Sequence, residues 1–174
     1  MLLEKIESSA PWKALLKIEK TVLMICTLLV FIVLIVSVVI RYVFKSDLYG
    51  IEEIIAIVAM WMYMLSASYA SYEGSHIKAD ILDTYVKNQK ILALDHLVVE
   101  IISALVLGVF CIWGVEYAQW TISSGNLSPY WKFPLCISQV SLSVGLILME
   151  FYSIYHCAKK FQEFKQIVAG GEEN

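Results

Sequence analysis

Hydrophobic and polar positions fall along this chain in long blocks rather than short alternations. Val22 to Ile40 is uncharged and dominated by Val, Ile and Leu, and Ile54 to Tyr72 is also uncharged. Ile101 to Val115 is uncharged and bracketed by Glu100 and Glu116. Phe133 to Met149 is uncharged, and after Glu150 the apolar run resumes to Ala158. Crossing a bilayer takes about 20 mostly apolar helical residues. The blocks therefore predict four spans, at about 21–42, 51–72, 95–120 and 134–158. The third block holds fifteen uncharged residues, about 22 Å of helix. To cross about 30 Å of hydrocarbon it must draw Glu100, Glu116 or both to the apolar edge or into it.

Two further stretches repeat at helical spacing with charges between. Leu2, Leu3 and Ile6, then Trp12, Leu15 and Leu16, lie among lysines and glutamates, divided by Pro11. Ile77, Ile81, Leu82, Tyr85 and Val86 alternate with Lys78, Asp80, Asp83 and Lys87. Both fit amphipathic helices lying in the headgroup region. The predicted fold is an all-α integral membrane protein with four transmembrane helices plus short interfacial amphipathic helices. It divides into an N-terminal interfacial segment (1–20), a membrane domain (21–158) and a cytoplasmic tail (159–174).

Composition agrees with this reading. Of 174 residues, 59% are hydrophobic and 17% charged, against about 45–50% and about 25% in an average soluble domain. The net charge is −3 and no basic stripe is present, which points away from nucleic acid. Cys26, Cys111, Cys136 and Cys157 sit far apart in apolar runs with no CxxC pair, as small packing residues do. The first span is too long for a signal-peptide core and no A-x-A-like site follows it, so it reads as a retained anchor.

Lysine and arginine set the orientation. Lys5, Lys13, Lys17, Lys20, Lys78, Lys87, Lys90, Lys159, Lys160 and Lys165 fall on one side of a four-span chain, and Arg41, Lys45 and Lys132 on the other. The positive-inside rule then predicts both termini and the second loop in the cytoplasm. Tyr42, Tyr49, Trp120, Tyr130 and Trp131 become an outer aromatic belt.

Candidate chemistry is sparse. His76, His96 and His156 all fall near the cytoplasmic ends of spans, whereas a membrane haem calls for ligands facing each other inside the bundle. Neither HExxH nor a Gly-rich phosphate loop is present. Glu73, His76 and Asp80 could share a helical face, but a closed zinc site takes four ligands, and the simpler reading is a solvated turn. Glu52 and Glu53 open the second span, either complementing its helix dipole or pairing with Arg41 across the first hairpin. Glu100 and Glu150 lie within spans, where ionisable groups are costly; either one of them faces a partner protein, or each snorkels or is protonated. Ala67 and Ser71, four apart, allow close helix approach, within the bundle or against another subunit. Trp61, away from either belt, is expected to pack on protein.

Together these features resemble the small membrane subunit (DctQ family) of TRAP transporters, the tripartite ATP-independent periplasmic uptake systems. R-Y-V-F at Arg41 to Phe44 closes the first span; Glu52–Glu53 opens the second, with Trp61 eight residues on. E-G-S-H-I-K-A-D-I-L, Glu73 to Leu82, resembles the family's His-Ile-x-x-Asp stretch, and S-P-Y-W-K-F-P, Ser128 to Pro134, leads into the last span. The resemblance runs from about Ile18 to Ala158. Tyr49-Gly50-Ile51 and Ser66-Ala67-Ser68 depart from the family's usual residues. The resemblance implies a non-enzymatic scaffold without cofactor. Its partners would be a large membrane (M) subunit carrying the sodium and substrate sites, a periplasmic substrate-binding protein and the lipid bilayer. His76 and Asp80 would then hold the shape of a cytoplasmic turn. The alternatives are a stand-alone ion- or proton-coupled carrier using Glu100 or Glu150, or a membrane anchor for a redox enzyme.

Overall fold

The computed structural model describes residues 9–46, 49–74 and 89–170. They form an all-α membrane protein of four long helices: α1 (Ala10–Val43), α2 (Ile51–Glu73), α3 (Gln89–Ser124) and α4 (Cys136–Gly170). Each contains a stretch long and apolar enough to cross a bilayer. Outside the helices, the described residues show a single isolated bridge, Leu127 to Pro134.

Local chemistry explains the boundaries. Pro11 sits in the first turn of α1, where its missing N–H is no loss. Residues 10–20, expected as part of an interfacial segment, therefore run straight into the span as one helix; Leu2, Leu3 and Ile6 lie outside the described residues. Gly50, at φ 81°, opens α2, and Gly74, at φ 64°, closes it with its N–H on the carbonyls of Ala70 and Ser71. Both need the left-handed backbone that glycine adopts at little cost. The interfacial stretch expected around Ile77 to Val86 falls outside the described residues.

The helices lie side by side in the order α1, α2, α4, α3. Along the central α2–α4 seam, numbers rise together: Trp61 meets Ile137, Met64 meets Gly145 and Tyr72 meets His156. The two helices therefore run parallel, as alternate spans must. A Cβ on Gly145 would stand 3.0 Å from the Met64 carbonyl oxygen, so backbone contact fixes this spacing. On the α3–α4 seam, Gly114 packs under Leu146, and its carbonyl accepts from Ser143 Oγ at 2.5 Å. By contrast, α1 beyond Met24 and much of α3 turn apolar side chains outward, as helices facing lipid or another apolar partner do.

Candidate functional site

At the α1-C, α2-N, α3-C and α4-N end of the bundle, the α3–α4 connection folds into a tight hairpin. Ser128 N–H donates to the Phe133 carbonyl at 2.8 Å, and Leu135 N–H to the Asn126 carbonyl at 2.9 Å. Lys132 takes a left-handed φ of 56° to turn the chain. Glu53, in the first turn of α2, grips this hairpin. Ser128 Oγ donates to its Oε2 at 2.7 Å, Tyr130 N–H to Oε1 at 2.7 Å and Trp131 N–H to Oε2 at 2.9 Å. Ser128, 1% exposed, also accepts from Phe133 N–H at 3.2 Å. A carboxylate accepting several such bonds fixes the direction of a loop. Gly50 lets the loop approach: a Cβ there would lie 2.5 Å from the Tyr130 and Trp131 rings. The result is a rim of exposed aromatics in which Tyr49 stacks on Tyr130, Tyr130 meets Trp131 edge-on, and Trp131 stacks on Phe133.

The opposite end carries a second carboxylate clasp. Glu19, 3% exposed, accepts from Ser68 Oγ of α2 through Oε1 and from Tyr152 OH of α4 through Oε2, the latter at 2.8 Å. Ser68 and Tyr152 are fully buried. Trp12 lies beside them, its ring packed against Tyr72, Phe151, Tyr152 and Tyr155. Sequence reasoning missed Glu19, which stands just before the uncharged block between Lys17 and Lys20 and so looks like a headgroup charge. The available signal was its place on the helical face of Trp12 and Leu16 once α1 is extended back to Pro11.

The remaining candidates are spread over the bundle. Arg41, in the last turn of α1, and Glu52 are exposed. Trp61 Nε1–H donates to the Ile137 carbonyl at 2.9 Å across the α2–α4 seam. Ser71 is buried and Ala67 half-buried on α2. Glu100 is half-buried on α3. Glu150 faces Gly108 of α3, with Oε2 buried and lacking a hydrogen-bond partner among the described residues. His76 and Asp80 lie outside the described residues. No group of three potential metal ligands occurs among the described residues.

Glu53 of one segment quoted in the resemblance and Ser128 to Phe133 of another are thus the two halves of one clasp. Residues 30–163 match the family model of the DctQ component of tripartite ATP-independent periplasmic transporters. The chain belongs to the DctQ family. No curated protein matches it. Membership makes it a transporter component. The Glu53 clasp lies wholly within the matched residues, whereas Glu19 and Trp12 lie before them.

Proposed function

We propose that this chain is the small, static membrane subunit of a sodium-coupled uptake system for organic acids, and not an enzyme. It sits in the bacterial inner membrane with both termini cytoplasmic, supports the large membrane subunit, and helps dock the periplasmic substrate-binding protein. The observation that carries this reading is how the bundle uses its polar groups. Trp61, Ser143, Ser68, Tyr152 and Glu53 all tie one element to another. A transporter that moves substrate itself commonly breaks its helices near the midplane to build a site, whereas α1 to α4 run unbroken through their apolar stretches. The apolar flanks of α1 and α3 suit lipid and a larger partner.

Orientation has its own test. In a cysteine-free background, Lys132→Cys should label from outside intact cells and Lys165→Cys only after permeabilisation; the reverse pattern overturns the topology. For transport, the chain alone in liposomes with a sodium gradient should take up no organic acid, and uptake should return with the large subunit and binding protein. Uptake by the chain alone would reject the scaffold role. For docking, the exposed rim of Tyr49, Tyr130 and Trp131 is the natural platform. Trp131→Ala should weaken capture of the binding protein severalfold without changing thermal stability, because exposed aromatics anchor interfaces; unchanged capture would place docking on the large subunit.

A second reading, a stand-alone carrier, draws on the Oε2 of Glu150, buried at the α3–α4 seam with no hydrogen-bond partner among the described residues. It predicts uptake by the lone chain that Glu150→Gln abolishes.

A further inference from the structure

Glu116 closes the uncharged stretch of α3 and is exposed. Cys111 and Gly114 pack on α4. Two residues beyond Gly114 is a little over half a helical turn, so Glu116 stands on the side of α3 turned away from α4. Among the described residues, no hydrogen bond or ion pair reaches its carboxylate. Trp113 and Trp120, each 59% exposed, and Ile112, 62% exposed, stand about one turn to either side of it. Because α3 is at the edge of the row of helices, nothing else among the described residues covers this face.

The two seams give the depth of Glu116. Ser143 of α4 is level with Gly114 of α3, and Gly145 of α4 with Met64 of α2. Gly108 faces Glu150, so α3 runs antiparallel to α4, while α2 runs parallel to it. Glu116 is therefore level with about Ser141 and, across the next seam, with about Met60. Met60 stands six residues inside the uncharged stretch Ile54 to Tyr72, about 9 Å from its end at 1.5 Å per residue. That stretch holds nineteen residues, about 28 Å of helix, close to the thickness of the hydrocarbon. Beyond Glu116, α3 itself continues for eight more residues to Ser124. Glu116 thus lies inside the hydrocarbon, between its middle and the hairpin end.

Ionisable groups at such depth are costly unless they pair or meet a wet cavity. Lysine and arginine near helix ends reach the interface by length; a glutamate is shorter, and this one is two turns from the end of its helix. Lipid tails offer it no donor. A second copy of this chain offers no cation either, because no Lys or Arg lies between Lys20 and Arg41, Lys45 and Lys78, Lys90 and Lys132, or Lys132 and Lys159. We propose that the Glu116 face of α3, framed by Trp113 and Trp120, docks a spanning helix of a different membrane protein, and that this helix carries an Arg or Lys that pairs with the carboxylate. The two indoles supply the large aromatic contacts that anchor an interface and keep water from the pair. By contrast, α1 carries no charged side chain between Lys20 and Arg41, so its outward face makes no such demand. The proposal rests on the scaffold reading, in which the docked protein is the large membrane subunit.

The test is capture of the large subunit by the tagged chain in mild detergent, together with a photo-crosslinking residue placed at Ile112. Glu116→Gln should weaken capture about thirtyfold, the factor for about 2 kcal/mol, because removing one side of an enclosed ion pair strands the other charge. Glu116→Asp should keep part of the affinity. Glu116→Lys should abolish capture, and reversing the Lys and Arg residues of the large subunit's spanning helices to Glu, one at a time, should restore it at one position. Cross-links from Ile112 should reach the large subunit. Thermal melting of the chain alone should not change in any Glu116 variant, whereas a merely structural role would lower it. Equal capture by Glu116→Gln and the parent, cross-links only to lipid or to a second copy, melting losses that match the capture losses, or no restoring reversal would each overturn the proposal. Failure of the parent chain itself to capture the large subunit would reject the scaffold reading, and this proposal with it, before any variant is compared.

Discussion

The two ends of this bundle are each closed by a glutamate, and the two closures work differently. Glu19 is buried and receives side-chain hydroxyls from α2 and α4, so it joins three helices directly. Glu53 is half-buried at a helix start and receives a hydroxyl and two backbone N–H groups from one hairpin. It orders a loop more than it joins helices. The Glu19 clasp is backed by Trp12 and four aromatic rings of α2 and α4, whereas the Glu53 clasp lies beneath an exposed aromatic rim. The same functional group thus serves cohesion at one end and shape at the other. The difference comes from what surrounds it. Where water is excluded, losing an acceptor strands its donors; at a wet edge, water can take its place.

Glu19→Ala breaks the comparison most strongly. Hydrogen bonds between membrane helices contribute roughly 0.6 to 1.7 kcal/mol each. Removing two and leaving the Ser68 and Tyr152 hydroxyls buried should lower stability by about 2–3 kcal/mol. Thermal unfolding in detergent measures this. Tyr152→Phe should lose about half as much, and labelling of Lys132→Cys should not change in either variant. An equal response of the hairpin would mean that the two ends are coupled through the α2–α4 seam.

Glu53→Ala should show the converse. Global unfolding should shift little, while labelling of Lys132→Cys and proteolysis near Tyr130 should quicken severalfold as the hairpin loses its anchor. Glu53→Gln should fall between, since its amide keeps one acceptor oxygen but cannot take all three bonds. A loss of stability as large as that of Glu19→Ala would show that Glu53 too carries cohesion.

The four helices were legible in the sequence because each apolar block approaches the length a bilayer demands, and four such runs leave more apolar surface than a soluble core of this size can hide. The motifs of the Glu53 clasp were legible as separate segments. Their meeting was not, because Glu53 and Ser128 are 75 residues apart and nothing local to either names the other. Glu19 escaped for a different reason. Charges flanking a span ordinarily sit in the headgroups, and only the assembly of α1, α2 and α4 shows that this one is enclosed. The continuity of residues 10–20 with the first span was not legible either, since a proline beside an amphipathic stretch suggests a break, while at the first turn it serves as a helix start. Trp61 was singled out for its depth, but periodicity could not supply its acceptor, the Ile137 carbonyl.

The smallest expected effect concerns Arg41. Sequence order suggests a latch between Arg41 and the Glu52–Glu53 pair, since about ten residues separate the two helix ends. The geometry divides that pair. Glu53 is committed to the hairpin through both oxygens, whereas Glu52 is exposed and remains the natural partner for a guanidinium on α1. Exposed ion pairs contribute less than about 1 kcal/mol, even with the forked geometry that arginine offers. Two double-mutant cycles separate the possibilities. Arg41→Ala with Glu52→Gln should be non-additive by a few tenths of a kcal/mol, shrinking as salt is raised. Arg41→Ala with Glu53→Gln should be additive. Coupling to Glu53 instead would mean that the arginine shares the carboxylate with the hairpin, and the Glu53 clasp would then join helices as the Glu19 clasp does. Additivity in both cycles would leave Glu52 with the role of an acidic residue at a helix N-terminus, complementing the α2 dipole at about 0.3–1 kcal/mol.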